Sequence, residues 1–544
     1  MRSIEDVASD LGLEWKDLEP YGRDKAKIPL DSFLGSGADS GSSGKLIVVT
    51  AITPTPAGEG KSTTAVGLTQ GLGLIGKRVA LTIRQPSLGP VFGMKGGGTG
   101  GGKSVVQPAN DINLHFTGDF HAIESAHNFL AAMADNAVRA GHLAAEEITW
   151  RRVTDAEDRA LRGITQGLGG RMDGPLRQTG FDISAASEIM AIVALATGYD
   201  DLRERLGDIV IGWTKEKTPV QARDIGAVGA MMALLKDALK PNLCQTAEGQ
   251  PAIVHMGPFG NIAHGCSSIL ADLLATKAVE YTITEAGFGA DLGFEKFMDI
   301  KVRQGGPEPA AAVVVCTVRG LKWHGGVEKD ELGSPDVEAL VEGAANLRYA
   351  IGVVKKFGLQ VVVAINRFPD DSSEEVATAR RIAEESGAMA AVEARGFAEG
   401  GAGMTELAEA VVAAAEGGAD VKLLYEDGDS TFGKVDKLAK GLYNADEVTW
   451  GPMTRTMTRR FEANDWHFPV CMAKTHLSVS TDPKLRGAPT GHSLHVREVK
   501  VSAGARQFIV LAGNIVTLPG LPSKPNAFDI DLNDDGEVVG LLGT

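Results

Sequence analysis

"TAITPTPAGEGKSTTAVGL", Thr50–Leu68, joins the apolar run Leu46–Val49 to a stretch of helical character. Thr55-Pro56-Ala57-Gly58-Glu59-Gly60-Lys61-Ser62 matches the phosphate-loop pattern GxxxxGK[ST], with Thr55 in place of the leading glycine. Gly58 and Gly60 let backbone N–H groups turn inward around phosphates, and the following helix presents its positive end. Lys61 can reach the terminal phosphates, and the Ser62 hydroxyl can hold Mg²⁺. The segment from Thr55 to Thr63 is therefore the candidate triphosphate site, and Ser62 the candidate metal ligand. A bare Gly-Lys-Ser means little; between a buried strand and a helix it carries weight.

Outward from this loop, short Val/Ile-rich runs alternate with helical stretches: 46–52, 79–83, 208–213, 252–256, 281–286, 311–318 and 361–366. Near-continuous apolar runs suit strands covered on both faces, and their alternation with helices predicts a mostly parallel α/β sheet of P-loop NTPase type. After about residue 430 the pattern changes to a smaller α+β unit. The expected division is 1–290, 291–430 and 431–544. "GSGADSGSSGK", 35–45, reads as a mobile surface loop.

In a parallel sheet the carboxyl ends of strands lie together, which places Arg84 toward the phosphate site. Its planar guanidinium suits a carboxylate or an acyl phosphate. "KGGGTGGGK", Lys95–Lys103, is either a plain flexible loop or a cover for an anionic substrate. His115, Asp119 and His121 lie within one short segment and read as a polar wall rather than metal ligands, for want of a partner cluster. "GPFGNIAHGCSS" and "TEAGFGADLGFEKF" are further strand-to-loop junctions, with His264 and Asp291 as their polar residues of interest. "NRFPD", Asn366–Asp370, resembles a guanine-reading element lengthened by one residue. Phe368 and Phe397, each in a loop after an apolar run, are either core residues or the two faces of a slot for a bicyclic ring.

The chain has 544 residues and a formal charge of −16, with no long basic block, which argues against nucleic acid or an anionic membrane as the main partner. Its four cysteines show no CxxC spacing, and no signal-type or membrane-spanning run occurs, so a cytoplasmic protein is expected.

Taken in order, "TAITPTPAGEGKSTT", "RQPSLGPVFGMKGG", "DINLHFTGDFHA", "FDISAASEIMAI", "GPFGNIAHGC", "VVVAINRFP", "FPVCMAKT" and "LPGLPSKP" closely resemble formate–tetrahydrofolate ligase, also called formyltetrahydrofolate synthetase. The resemblance runs from about residue 20 to the carboxyl terminus. It implies a monofunctional enzyme joining formate to tetrahydrofolate with ATP and Mg²⁺, through formyl phosphate. It further implies that Lys61 neutralises the transferring phosphate, Ser62 holds Mg²⁺, and Arg84 clasps formyl phosphate. Phe368 then forms one face of the pterin slot, and Asp119 and His264 join the catalytic set. A homotetramer is the family's usual assembly. Three departures stand out. Phe397 in "FAEGG" replaces the tryptophan of "WAKGG". Gln85 replaces a glutamate tied to monovalent-cation activation, which implies a weak dependence on K⁺ or NH₄⁺. The Gly/Ser segment replaces a charged connector. Two other readings compete with this one. A P-loop regulatory ATPase of partitioning type carries lysine where this chain has Pro56, and a catalytically silent folate-binding paralogue sits poorly with intact Lys61, Ser62 and Arg84.

Overall fold

A computed structural model describes residues 1–34, 44–141, 143–144 and 148–541. Most of the Gly/Ser segment read as a surface loop, 35–43, lies outside the described residues. The fold is built on seven parallel strands: β1 (Lys45–Ala51), β2 (Val79–Ile83), β3 (Pro251–Val254), β4 (Tyr281–Glu285), β5 (Pro309–Cys316), β6 (Gln360–Asn366) and β7 (Ala390–Ala394). Their order across the sheet is β3-β2-β4-β1-β5-β6-β7. Beyond β3 the sheet turns antiparallel through Asn242–Thr246, which also pairs with Ala26–Lys27 and Ser104–Gln107.

Alternate residues of the Val/Ile runs feed two different apolar layers. Ile47, Val49, Val313, Val315 and Val362 face one cluster, while Leu46, Val48, Ala312, Val314 and Val363 face the other. Each fully buried Val or Ile of this kind contributes about 1.5–3 kcal/mol relative to exposure. Such two-sided burial is why the runs are continuous rather than alternating.

One sequence expectation changes. The run 208–213 is not part of the large sheet: Asp208 ends the helix Tyr199–Asp208, and Val210–Trp213 forms a separate antiparallel pair with Pro219–Gln221. The sheet also passes straight through residue 290, because β4 and β5 flank β1 on its two sides. Past residue 430 the chain makes a mixed four-stranded sheet in the order Ala445–Trp450, His492–Ser502, Gln507–Ala512, Val470–Ala473. Val470, Met472, Phe508 and Val510 join the same apolar cluster as Val314 and Val363, so this sheet packs on the larger one. Among the described residues no helix is long and apolar enough to cross a membrane.

Candidate active site

Because the seven strands run the same way, the loops at their carboxyl ends gather along one edge of the sheet. The loop after β1 is the one quoted at the outset. Gly58 and Gly60 take φ values of 73° and 72°, and Gly60 caps the helix α1 (Lys61–Leu74). A Cβ on Gly60 would stand 2.2 Å from Asn366 Nδ2, so that position excludes any side chain on two counts. Thr55 needs no such freedom and is not among the positive-φ residues described, which accounts for the loop's departure from the leading glycine. The Thr55 N–H instead donates to Glu59 Oε1 at 2.7 Å, closing the turn from inside.

The loop is held from below. Asn366, at the end of β6, donates from Nδ2 to the Glu59 carbonyl at 3.1 Å. Its side chain therefore braces the phosphate loop, which displaces the base-reading role its motif resembled. Asn346 accepts from the Thr53 N–H at 2.9 Å and donates to Thr53 Oγ1 at 2.9 Å and to the Gly487 carbonyl at 2.6 Å. His324 Nδ1 accepts from the Gly487 N–H, leaving Nε2 to donate to the Thr53 carbonyl at 2.9 Å. Burial lowers the His324 pKa to about 4, so this brace stays neutral.

Lys61 opens α1 and Ser62 follows. The Ser62 hydroxyl donates to Glu285 Oε2 at 2.8 Å. Glu285 is the last residue of β4, next to β1, and is 4% exposed. Burial lowers the Lys61 pKa, with Glu285 and Glu59 opposing. Glu285 lies outside the site residues named above, although an acid closing an apolar run before a Gly-rich loop is a readable signal. Serine hydroxyl and carboxylate form an all-oxygen pair suited to a hard cation that keeps phosphate ligands of its own. No larger His/Cys/Asp/Glu group able to hold a metal occurs among the described residues.

Arg84 leaves the end of β2, donates from Nη1 to the Pro258 carbonyl at 3.1 Å, and keeps a buried Nε with no partner among the described residues. Lys95 adds a third cation. It remains open to solvent, yet crowding by protein, followed by the charges of Arg84 and Lys61, lowers its pKa to about 8. Lys95 Nζ lies 5.6 Å from the centre of the Phe288 ring, which stacks on His476 at 4.5 Å. Burial and then Lys95 hold His476 neutral, with a pKa of about 4. The glycine loop between Lys95 and Lys103 packs against the second aromatic loop. The Lys103 N–H donates to the Phe397 carbonyl at 3.0 Å, and a Cβ on Gly102 would lie 2.2 Å from that same oxygen.

Phe368 and Phe397 follow the adjacent strands β6 and β7, whose ends pair Asn366 with Ala394. Phe397 is 62% exposed, which rules out the core alternative for this residue. Arg319 stacks on Phe368 at 4.6 Å. Gln85 is buried, and its Oε1 has no partner among the described residues.

Two of the expected catalytic residues, Asp119 and His264, are buried. Asp119, first residue of the helix Asp119–Arg139, is buried in an ion pair with Lys27 at 2.8 Å and accepts from Asn242 Nδ2 at 2.7 Å. Both its oxygens are thereby engaged. His264 is fully buried, neither ring nitrogen has a partner among the described residues, and burial followed by Lys301 and Arg84 pushes its pKa well below the usual imidazole range. An imidazole held neutral in this way is a poor proton shuttle at pH 7. Asp291 is engaged as well, in a buried ion pair with Lys474 at 2.7 Å.

A phosphate loop with a serine–carboxylate pair and three cations at the carboxyl edge of a parallel sheet has the makings of a phosphoryl-transfer site. The formate–tetrahydrofolate ligase family model matches residues 1–542, and the chain belongs to that family. It is 54% identical over 545 residues to a formate–tetrahydrofolate ligase of Allorhizobium ampelinum, covering 99% of this chain and 98% of the relative. It is 52% identical to one of Ruegeria sp., covering 99% and 97%, and 50% identical to one of Desulforamulus reducens, covering 100% and 97%.

Proposed function

We propose that the chain ligates formate to tetrahydrofolate with ATP, giving 10-formyltetrahydrofolate, ADP and phosphate through formyl phosphate. The observation that carries this reading is the convergence of Lys61, Arg84 and Lys95 beside the Ser62–Glu285 pair within a chain of this family. A P-loop NTPase-like arrangement is the finer description of the sheet, supported by the placement of the loop between β1 and α1.

ATP lies with its phosphates over Gly58–Thr63. Ser62 and Glu285 would hold the accompanying Mg²⁺, which supplies charge neutralisation on the phosphates. A formate oxygen attacks the γ-phosphorus, the bond to the β-bridging oxygen breaks, and ADP leaves with that electron pair. Lys61 and Lys95 meet the charge on the transferring group, and Arg84 grips the resulting formyl phosphate with its unspent donors. N10 of the folate then attacks the formyl carbon, the carbon–oxygen bond to phosphate breaks, and the N10 proton leaves with the phosphate. N10 is an arylamine already unprotonated at pH 7, so placement matters more than a strong base. Phe368 and Phe397 supply the faces of the pterin slot. His264 stays a neutral group near Arg84, and Asp119 fixes the helix that follows it.

Phosphate and formate handling falls in 1–290 and the folate loops in 291–430, while 431–544 closes the cleft through His476. A cytoplasmic homotetramer with weak dependence on monovalent cations completes the reading, supported by family resemblance and by Gln85; light scattering and omission of K⁺ test these.

The central test measures ADP release with ATP and Mg²⁺ while formate and tetrahydrofolate are supplied singly and together, with absorbance following the formylated folate. Turnover that needs every component supports the ligase. ATP hydrolysis indifferent to both overturns it in favour of a regulatory ATPase, and folate binding without turnover favours the silent paralogue.

The Lys95 assignment has a pH signature. An ammonium with a pKa of about 8 is charged below that pH and lost above it, so kcat/KM for ATP is expected to fall on the alkaline side of about pH 8. The Lys95→Arg variant keeps its charge and is expected to move that limb up by at least about one pH unit. A limb unmoved by the substitution would assign it to another group.

A further inference from the structure

Of the three cations at the phosphate site, Lys61 opens a helix and Arg84 directly follows a strand, but Lys95 stands in the loop after the short helix Leu88–Phe92. Within its own turn the Lys95 N–H donates to the Pro90 carbonyl at 2.9 Å. A flexible side chain followed by three glycines has wide freedom, so the place of its ammonium depends on how the backbone beneath it is fixed.

The fixing comes from the far end of the chain. After the small sheet, the segment 517–528 returns across the larger part of the molecule as a strap. The Ile183 N–H donates to the Thr517 carbonyl at 3.0 Å, Arg162 Nε to the Leu518 carbonyl at 2.8 Å, and the Leu521 N–H to the Glu157 carbonyl at 3.1 Å. Asn526 then closes on the turn itself, 431 residues away from Lys95 in sequence. Its N–H donates to the Gly93 carbonyl at 2.8 Å, and its Nδ2 donates to the Val91 and Lys95 carbonyls, each at 3.0 Å. An amide nitrogen has two hydrogens, and both are spent on this turn. Glu157 closes the turn from another side, since a Cβ on Gly93 would stand 2.2 Å from its Oε2. Beyond Lys95, the Gly98 N–H donates to Asn113 Oδ1 at 3.0 Å.

We propose that Asn526 is a positioning residue for Lys95: the carboxyl-terminal strap fixes the backbone from Val91 to Lys95 and so holds the ammonium at the phosphate site, an assignment that rests on the ligase reading above. The role belongs to the amide. Leucine and aspartate come close to asparagine in size but have no side-chain N–H to give the two carbonyls, whereas glutamine keeps both hydrogens on a longer stem.

The experiment is a double-variant cycle on ADP release dependent on formate and tetrahydrofolate, with Asn526→Leu made in the native enzyme and in Lys95→Met, each compared on protein shown by urea unfolding to be folded. In the native background Asn526→Leu is expected to lower kcat/KM for ATP by about tenfold or more. In Lys95→Met the same substitution is expected to change it by less than about twofold, because no ammonium is left to misplace. Asn526→Asp is expected to behave like Asn526→Leu, and Asn526→Gln to recover part of the activity. Equal losses in the two backgrounds, or no loss in the native one, would overturn the positioning role alone. Lys95→Met with native kcat/KM would overturn it too, and leave the ligase reading standing while both substrates are still required. ADP release by the native protein that ignores formate and tetrahydrofolate would overturn the ligase reading and the positioning role with it.

Discussion

Arg84→Ala is expected to lower kcat for formate-dependent ADP release by about 10³-fold while moving the KM for ATP only a few-fold. The asymmetry follows from position. On the reading proposed above, the triphosphate is held by the backbone from Gly58 onward, by Lys61 and by the Ser62–Glu285 pair, none of which touches Arg84 through a hydrogen bond among the described residues. Arg84 comes from a different strand, spends one nitrogen on the Pro258 carbonyl, and keeps a buried Nε without a partner among the described residues. Those free donors favour an oxyanion formed during the reaction over one already present on ATP. Arg84→Lys, which keeps the charge and loses the fork, is expected to recover only part of the activity. Steady-state kinetics with ATP and formate varied separately decides the matter. A variant that raises the KM for ATP and leaves kcat intact would move Arg84 from the formyl group to the nucleotide.

Much of this site was legible because its signals are local. Gly60, Lys61 and Ser62 sit inside one loop whose neighbours are a buried strand and a helix, and the two-layer burial of Val48 and Val49 follows directly from an unbroken apolar run. What stayed hidden was the partner of each group. Glu285 is one of 70 acids, and only strand pairing puts it beside Ser62. Asn366 carries a motif suggestive of base recognition, yet its side chain reaches a loop 307 residues away in sequence. The run 208–213 has the composition of a sheet strand, but composition cannot say which sheet, and the chain pairs it locally with Pro219–Gln221. His264 stands in a loop rich in chemical side chains, and nothing local foretells the burial that disfavours its charged form.

Asp119 is the sharpest case, and its test has the larger structural effect. The carboxylate and the Lys27 ammonium are 2.8 Å apart, with side chains 2% and 0% exposed, and they are separated by 92 residues in sequence. Lys27 also donates to the Lys240 carbonyl, and Asn242 donates to Asp119, so the pair fastens the amino-terminal segment and the helix Asp119–Arg139 to the antiparallel edge of the sheet. Removing one partner leaves the other charge buried and uncompensated, so Asp119→Ala is expected to cost about 3–5 kcal/mol. Replacing both, as Lys27→Met/Asp119→Leu, removes the stranded charge and is expected to restore most of that loss. The readouts are the midpoint of urea unfolding and kcat of the protein that remains folded. A positioning role predicts a lowered midpoint in the single variant, recovery in the double, and kcat within about tenfold of native throughout. A catalytic role predicts the reverse: an unmoved midpoint, kcat reduced by about 10²-fold or more, and no recovery when the charge pair is replaced as a unit.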